Sequence, residues 1–159
     1  MIAPSWYREL DPNGRRAFHS VYAGFSVNAM SVQLYAFILP VLLPLWHFSP
    51  SSGGVLAAAT LVSSAIGGWL AGLLSDPLGR GRLVQNTILL SAVSSLSCAA
   101  AQSYEQLLVA RAIQGFGFGA EWAVGAVFMG EIANPATRGR LVGVAQSAWA
   151  AGWGLAVAA

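Results

Sequence analysis

From Ala17 to Ser75 the chain runs through 59 consecutive positions without one formally charged residue. A soluble helix needs a polar, charged face to meet water. An uncharged apolar run of about 18 residues or more is instead the pattern of a helix that crosses a bilayer. The rest of the chain follows the same rule, with 56% hydrophobic and 9% charged residues in 159, against about 25% charged in ordinary soluble domains. A solvated globule and a disordered chain are both excluded, the latter because disorder requires little apolar content and much charge. A net charge of +2 is too small for a nucleic-acid footprint.

Other classes fall away on residue type. The single cysteine, Cys98, has no internal disulfide partner and reads as a small packing residue. His19 and His47 have no Cys, Asp or Glu at ligand spacing, so no metal site is expected, and no cofactor is implied. No nucleophile, base and orienting group stand at workable spacing, which argues against an enzyme. The apolar segment after Arg15 and Arg16 is longer than a secretory signal core of about 7 to 15 residues, so it reads as a retained span.

Cutting at polar, Gly and Pro clusters leaves a leader, 1–18, and five apolar stretches at about 19–45, 54–75, 83–102, 105–131 and 141–159. The connections are short, so consecutive helices are expected to be antiparallel neighbours. Arginine placement tests the division, since cytoplasmic loops retain Arg while short translocated loops lack it. Arg8, Arg15 and Arg16 precede the first stretch, Arg80 and Arg82 lie in the second loop, and Arg138 and Arg140 in the fourth. The first and third loops have none. The expected protein is an all-α integral membrane protein of the plasma (inner) membrane, with its N-terminus in the cytoplasm.

Ionisable groups inside a span cost about 2.5 kcal/mol or more and therefore face a cavity or a partner. The fourth stretch holds two, Arg111 and Glu121, with Gln114 and Phe118 on the same broad stripe. Ten positions place them roughly 80° apart and about 15 Å along the axis, too far for a direct pair. Each must look to another helix, water or a ligand; the alternative is a snorkelling Arg111 and a protonated Glu121 acting as packing glue. Asn28, Ser31 and Tyr35 form a second stripe on the first stretch, and Gln146, Trp149 and Trp153 a third on the fifth. Amides and aromatics together suit a site for a small polar solute, or else ordinary interhelical packing. Gly68 with Gly72, and Gly115 with Gly119, have the spacing that lets helices approach closely. The run Gly115 to Ala120 fits a dinucleotide-binding pattern by letter alone, because no strand-turn-helix unit surrounds it.

The second loop, Gly72-Leu73-Leu74-Ser75-Asp76-Pro77-Leu78-Gly79-Arg80-Gly81-Arg82, resembles the G-x-L-x-D-R-x-G-R-R-R signature of the major facilitator superfamily, with Pro77 and Gly81 at two of its basic positions. Arg111-Ala112-Ile113-Gln114-Gly115-Phe116-Gly117 is similar to that family's R-x-x-Q-G-x-G motif. Gly119-Ala120-Glu121-Trp122, Glu131 and Arg138-Gly139-Arg140 resemble the metabolite:proton symporter branches for sialic, aromatic and other carboxylic acids.

The resemblance implies a secondary transporter for a small organic anion, proton-coupled when intact. It implies a substrate and proton pathway through Asn28, Ser31, Tyr35, Arg111, Gln114, Glu121, Gln146 and Trp149, with Arg111 drawing a carboxylate or influencing a proton site, and Glu121 the better candidate to take the proton. It further implies a cytoplasmic gating motif of Gly72, Asp76, Gly79, Arg80, Arg82, Glu131 and Arg138. Asn28 and Ser31 stand where proton-coupled relatives often have Asp. Family members have two six-helix halves, so the chain is expected to be an N-terminal portion, an incomplete gene product whose partner helices lie elsewhere. The alternative is a non-transporting small membrane protein, or a decayed fragment, that packs through its Gly faces.

Overall fold

The computed structural model describes residues 4–158. Seven helices lie among them: α1 (Ser5–Arg8), α2 (Pro12–Leu45), α3 (Pro50–Leu78), α4 (Arg80–Ala99), α5 (Tyr104–Ile132), α6 (Arg138–Gln146) and α7 (Ala148–Ala158). Most helix ends overrun the apolar stretches because local caps, not hydropathy, set them, whereas α2 ends with its stretch at Leu45 and α4 stops at Ala99, short of the expected 102. Asp11 accepts a hydrogen bond from the Gly14 amide at 2.7 Å and Pro12 occupies the first turn, so α2 begins before its charged Arg15 and Arg16. Ser103 caps α5 in the same way through the Gln106 amide. Gly79 ends α3 and starts α4 at φ 81°, a backbone region in which a side chain is strained.

Polarity is inverted relative to a soluble protein. Leu61, Trp69, Leu96, Val41 and Val157 are more than 60% exposed, whereas Arg111, Glu121, Gln114 and Asn28 are buried. Such a surface fits hydrocarbon and not water. Three segments are long and apolar enough to cross a membrane: Pro12–Leu45, Pro50–Leu78 and Arg138–Ala158. The last is interrupted only at Ser147, between α6 and α7. Helices α4 and α5 have 20 and 29 residues, about 30 Å or more in length, and carry the polar residues that the fold turns inward.

Helix α5 is the central element, with α3 packed along one side and α4 along the other, while α2 pairs with α7. Between α3 and α5 the backbones meet. A side chain at Gly115 would overlap the Thr60 carbonyl, at Gly119 the Ser64 carbonyl, and at Gly67 the Phe116 carbonyl. Gly152 of α7 stands in the same relation to the Ser26 carbonyl of α2. In lipid no hydrophobic effect separates helix from helix, so this closeness of approach supplies much of the association. The α5 pair Gly115 and Gly119 packs as the spacing predicts. On α3 the contact shifts to Gly67, with Gly68 beside it, where a Cβ would lie 3.3 Å from the Gly119 carbonyl, while a Cβ at Gly72 would meet nothing within 4 Å. The Gly115–Ala120 run lies wholly inside helix α5.

Near the α2 C-terminus, Tyr104 donates to the Ser52 carbonyl at 3.1 Å and packs on Phe48. At the opposite end Trp6, Tyr7, Phe18 and Tyr22 cluster, and Thr137 donates to Glu9 at 3.2 Å.

Replacing Gly115 or Gly119 with Ala is expected to destabilise the folded chain by about 2 kcal/mol through overpacking against backbone. Gly154→Ala, at an open position, is expected to change little; denaturant unfolding in detergent followed by circular dichroism measures the difference.

Candidate solute and proton site

At about 100° per residue the faces of α5 go to different neighbours. Gly115 and Gly119 meet α3, Gly117 meets Ser91 of α4, and the face carrying Arg111 and Phe118 opens on a cavity. That cavity, about 560 Å³, lies among α2, α3, α5 and α7. Its polar wall is Asn28, Tyr35, Thr60, Ser64, Arg111 and Gln114, and its aromatic wall includes Phe118 and Trp149. Trp149 holds its place by packing on Phe118 (5.7 Å between ring centroids) and edge-on to Trp122 (5.4 Å), which stacks on Phe25 of α2.

Arg111 is 4% exposed. Its guanidinium carbon sits 3.6 Å from the centroid of the Tyr35 ring, a cation–π contact. Nη1 donates to Gln114 Oε1 at 2.6 Å, and Gln114 Nε2 donates to Ser95 Oγ of α4 at 2.8 Å. The Cys98 thiol is 3.9 Å from the same Gln114 oxygen. Thus Arg111 looks to α2, as its spacing from Glu121 requires, and also to its own helix one turn on. No acid among the described residues pairs with it, and its Nε has no hydrogen-bond partner. A buried cation left in this condition favours an anion arriving from the adjoining cavity.

Glu121 is 1% exposed and belongs to a different compartment. Asn28 Nδ2 donates to its Oε2, whereas Oε1 has no partner. It faces a cavity of about 460 Å³ between α2 and α4, together with Ser20, Gly24, Gln85 and Ser91. Gly24 is required there, since a Cβ would overlap Glu121 Oε1 and crowd Ile88 at 3.2 Å.

The remaining predicted pathway residues divide. Ser31 lines a third cavity, of about 370 Å³, with Ser95, Cys98 and Trp46. Tyr35, Arg111 and Gln114 form the partition between this cavity and the aromatic one, and the Tyr35 hydroxyl has no partner. Trp149 faces the aromatic cavity. Gln146 does not line it, although its Oε1 is buried without a partner, and Trp153 is 46% exposed. The α4 serines Ser91 and Ser95, with Thr60 and Ser64 of α3, were not singled out in the sequence. Their signal is hydroxyls four residues apart on otherwise apolar helices, a pattern that back-bonding within a helix also produces.

At the other end of α5, Arg80 pairs with Asp76 at 3.0 Å and with Glu131, joining the α3–α4 turn to α5. The neighbouring carboxylates, Asp76 foremost, hold the Arg80 guanidinium above its ordinary pKa. Gly79 supplies the turn that brings Asp76 and Arg80 together. Arg82 and Arg138 are exposed and form no ion pair among the described residues, and Gly72 adds space, not contact.

The profile of a family described as sugar (and other) transporter matches residues 16–159. A protein of Cupriavidus pinatubonensis described as a probable 4-methylmuconolactone transporter is 42% identical over 153 residues, covering 96% of this chain and 36% of its own. The niacin transporter of Acinetobacter baylyi is 29% identical across 82% of this chain and 30% of its own. The sialic acid transporter of Escherichia coli is 22% identical across 80% and 31%. The chain therefore spans about a third of the length of these relatives. With the two motifs set on α3–α4 and α5 and the family profile running over nearly the whole sequence, the chain belongs to the sugar (and other) transporter family of the major facilitator superfamily.

Proposed function

We propose that the chain forms five spans, α2, α3, α4, α5 and α6–α7, of the N-terminal half of a secondary transporter for a small organic carboxylate, coupled to protons. The observation that carries this reading is Arg111: a buried guanidinium, fixed by Tyr35 and Gln114, with Nε unpartnered and no acid beside it, at the wall of an aromatic cavity. A carboxylate offers the two acceptor oxygens and the charge that this group lacks. Phe118 and Trp149 add flat faces suited to a ring or a planar unsaturated acid. Niacin and sialic acid, in the names of two relatives, are both carboxylic acids.

Protons enter through Glu121, a carboxyl in a separate cavity of the same helix. Binding the anion beside Arg111 and the proton at Glu121 keeps charge low in the bilayer interior while the two halves of the transporter rock about the site. The Asp76–Arg80–Glu131 cluster ties the cytoplasmic ends of α3, α4 and α5 in one state and releases in the other. Its exposed pairs are worth little as stability, so their value lies in offering alternative pairings. The protein sits in the plasma (inner) membrane with residues 1–18 in the cytoplasm.

In vesicles carrying the complete transporter, Arg111→Gln is expected to lower nicotinate uptake about a hundredfold through loss of the charge-assisted contact. Glu121→Gln is expected to retain binding and exchange but to lose acceleration by an inward proton gradient. Unchanged, gradient-driven uptake in Glu121→Gln rejects the proton assignment.

Orientation is measurable with cysteines placed in a Cys98→Ala background. Ser52→Cys is expected to react with an impermeant maleimide in intact cells, and Ala136→Cys only after permeabilisation. The reverse pattern rejects the cytoplasmic N-terminus.

A further inference from the structure

Asn28 stands in the wall between two compartments. It lines both the aromatic cavity that holds Arg111 and the α2–α4 cavity that holds Glu121, whereas Glu121 lines only the second. Its Nδ2 is committed to Glu121 Oε2, and no described residue donates to its Oδ1. On the Glu121 side, Glu121 Oε1 and Ser91 Oγ are buried without partners, so the carboxyl has room to change its hydrogen bonding.

From this arrangement we infer that the Asn28 side-chain amide is the positioning element that couples the proton on Glu121 to the anion beside Arg111. The inference rests on the carboxylate reading of the preceding section. An ionised Glu121 can only accept, so it holds the Nδ2 donor and leaves the Asn28 oxygen as the group available elsewhere. Anions are then met by an acceptor. A protonated Glu121 carries an O–H and is satisfied by donating to Oδ1, which a half-turn of the amide supplies. The same half-turn releases Nδ2 to donate toward the aromatic cavity. Proton and anion therefore bind together more favourably than separately, which is the linkage a symporter requires. An aspartate at position 28 would instead compete for the proton, so the amide transmits the charge state without titrating.

The electrostatic setting is simple. Apart from Glu121, the residues around the α2–α4 cavity (Ser20, Asn28, Gln85 and Ser91 among them) are not ionisable. On α3 no ionisable residue occurs from Pro50 to Ser75, and α6–α7 has none after Arg140. On α5 the nearest charges are Arg111 and Glu131, each ten residues away, and Glu131 is paired with Arg80 at the far end of the helix. Glu121 is thus the group through which pH reaches Asn28.

The test is nicotinate binding, by calorimetry, to the complete transporter reconstituted in lipid nanodiscs at about pH 6 and about pH 8, where nicotinate is an anion at both. Wild type is expected to bind about tenfold tighter at the lower pH, in the usual range of coupling between linked sites. Glu121→Gln is expected to bind tightly at both, its amide standing in for the protonated acid. Asn28→Leu, with helicity and monodispersity checked, is expected to bind at one affinity at both pH values, and Asn28→Gln to restore part of the difference. Persistence of the tenfold difference in Asn28→Leu, or in Glu121→Gln, overturns the coupling role while leaving the carboxylate site standing. Should Asn28→Leu fail to fold, Asn28→Ala, which removes the amide without adding bulk, takes its place with the same expected loss of the pH difference. Absence of nicotinate binding in wild type at both pH values contradicts the carboxylate site and the coupling with it.

Discussion

Where the backbones of α3 and α5 touch, at Gly115 against Thr60 and Gly119 against Ser64, the rotation of α5 is fixed. Everything else about the interior follows from that rotation. With the glycine edge turned to α3, the next faces of α5 in order carry Arg111 and Phe118 toward the aromatic cavity, Gln114 and Glu121 toward α2 and α4, and Gly117 toward Ser91. A side chain larger than hydrogen at the glycine edge would push α5 away and turn these groups out of register. Membrane helices lack a hydrophobic drive to hide such a misfit, so the approach of backbone to backbone both holds the bundle and aims its polar groups.

The two ionisable groups on α5 are treated differently by the same bundle. Arg111 is braced on three helices, by Tyr35 of α2, Gln114 of α5 and through it Ser95 of α4, without receiving a counter-charge. Glu121 receives one amide donor and keeps its other oxygen open. A bundle needing only stability would have paired the charges or replaced them with apolar residues. Holding them apart, each half-satisfied and each at its own cavity, leaves hydrogen-bonding capacity at two positions, where the proposed anion and proton would bind.

Much of this was legible in the sequence, and the missing parts have one physical origin. Period and composition mark lipid-facing and interior stripes, so the inward placement of Arg111, Glu121, Gln114 and Asn28 could be read from cost alone. The loop motif located Asp76, Gly79 and Arg80, which the fold sets beside Glu131. Hydropathy marks where lipid begins and not where a helix begins, so α2 starts at its Asp11 cap, before the apolar stretch. Rotation about each helix axis was not encoded in any local pattern. Hence Gly67 displaced Gly72 at the α3 contact, Ser31 faced a cavity other than the aromatic one, Gln146 left the site that Trp149 joined, and the hydroxyls of Ser91 and Ser95 gained roles only once α4 was set against α5.

The central claim is that the unpaired Arg111 guanidinium receives a carboxylate. Magic-angle-spinning NMR on the complete transporter reconstituted in lipid, with nitrogen-labelled arginine and carboxyl-labelled nicotinate, reads the dipolar coupling between the two labels directly. The expected result is a coupling from the nicotinate carboxyl to the side-chain nitrogens of Arg111, lost in Arg111→Gln while the signals of the other arginines persist. Bound nicotinate with no coupling to Arg111, or with an undiminished arginine coupling in Arg111→Gln, would contradict it.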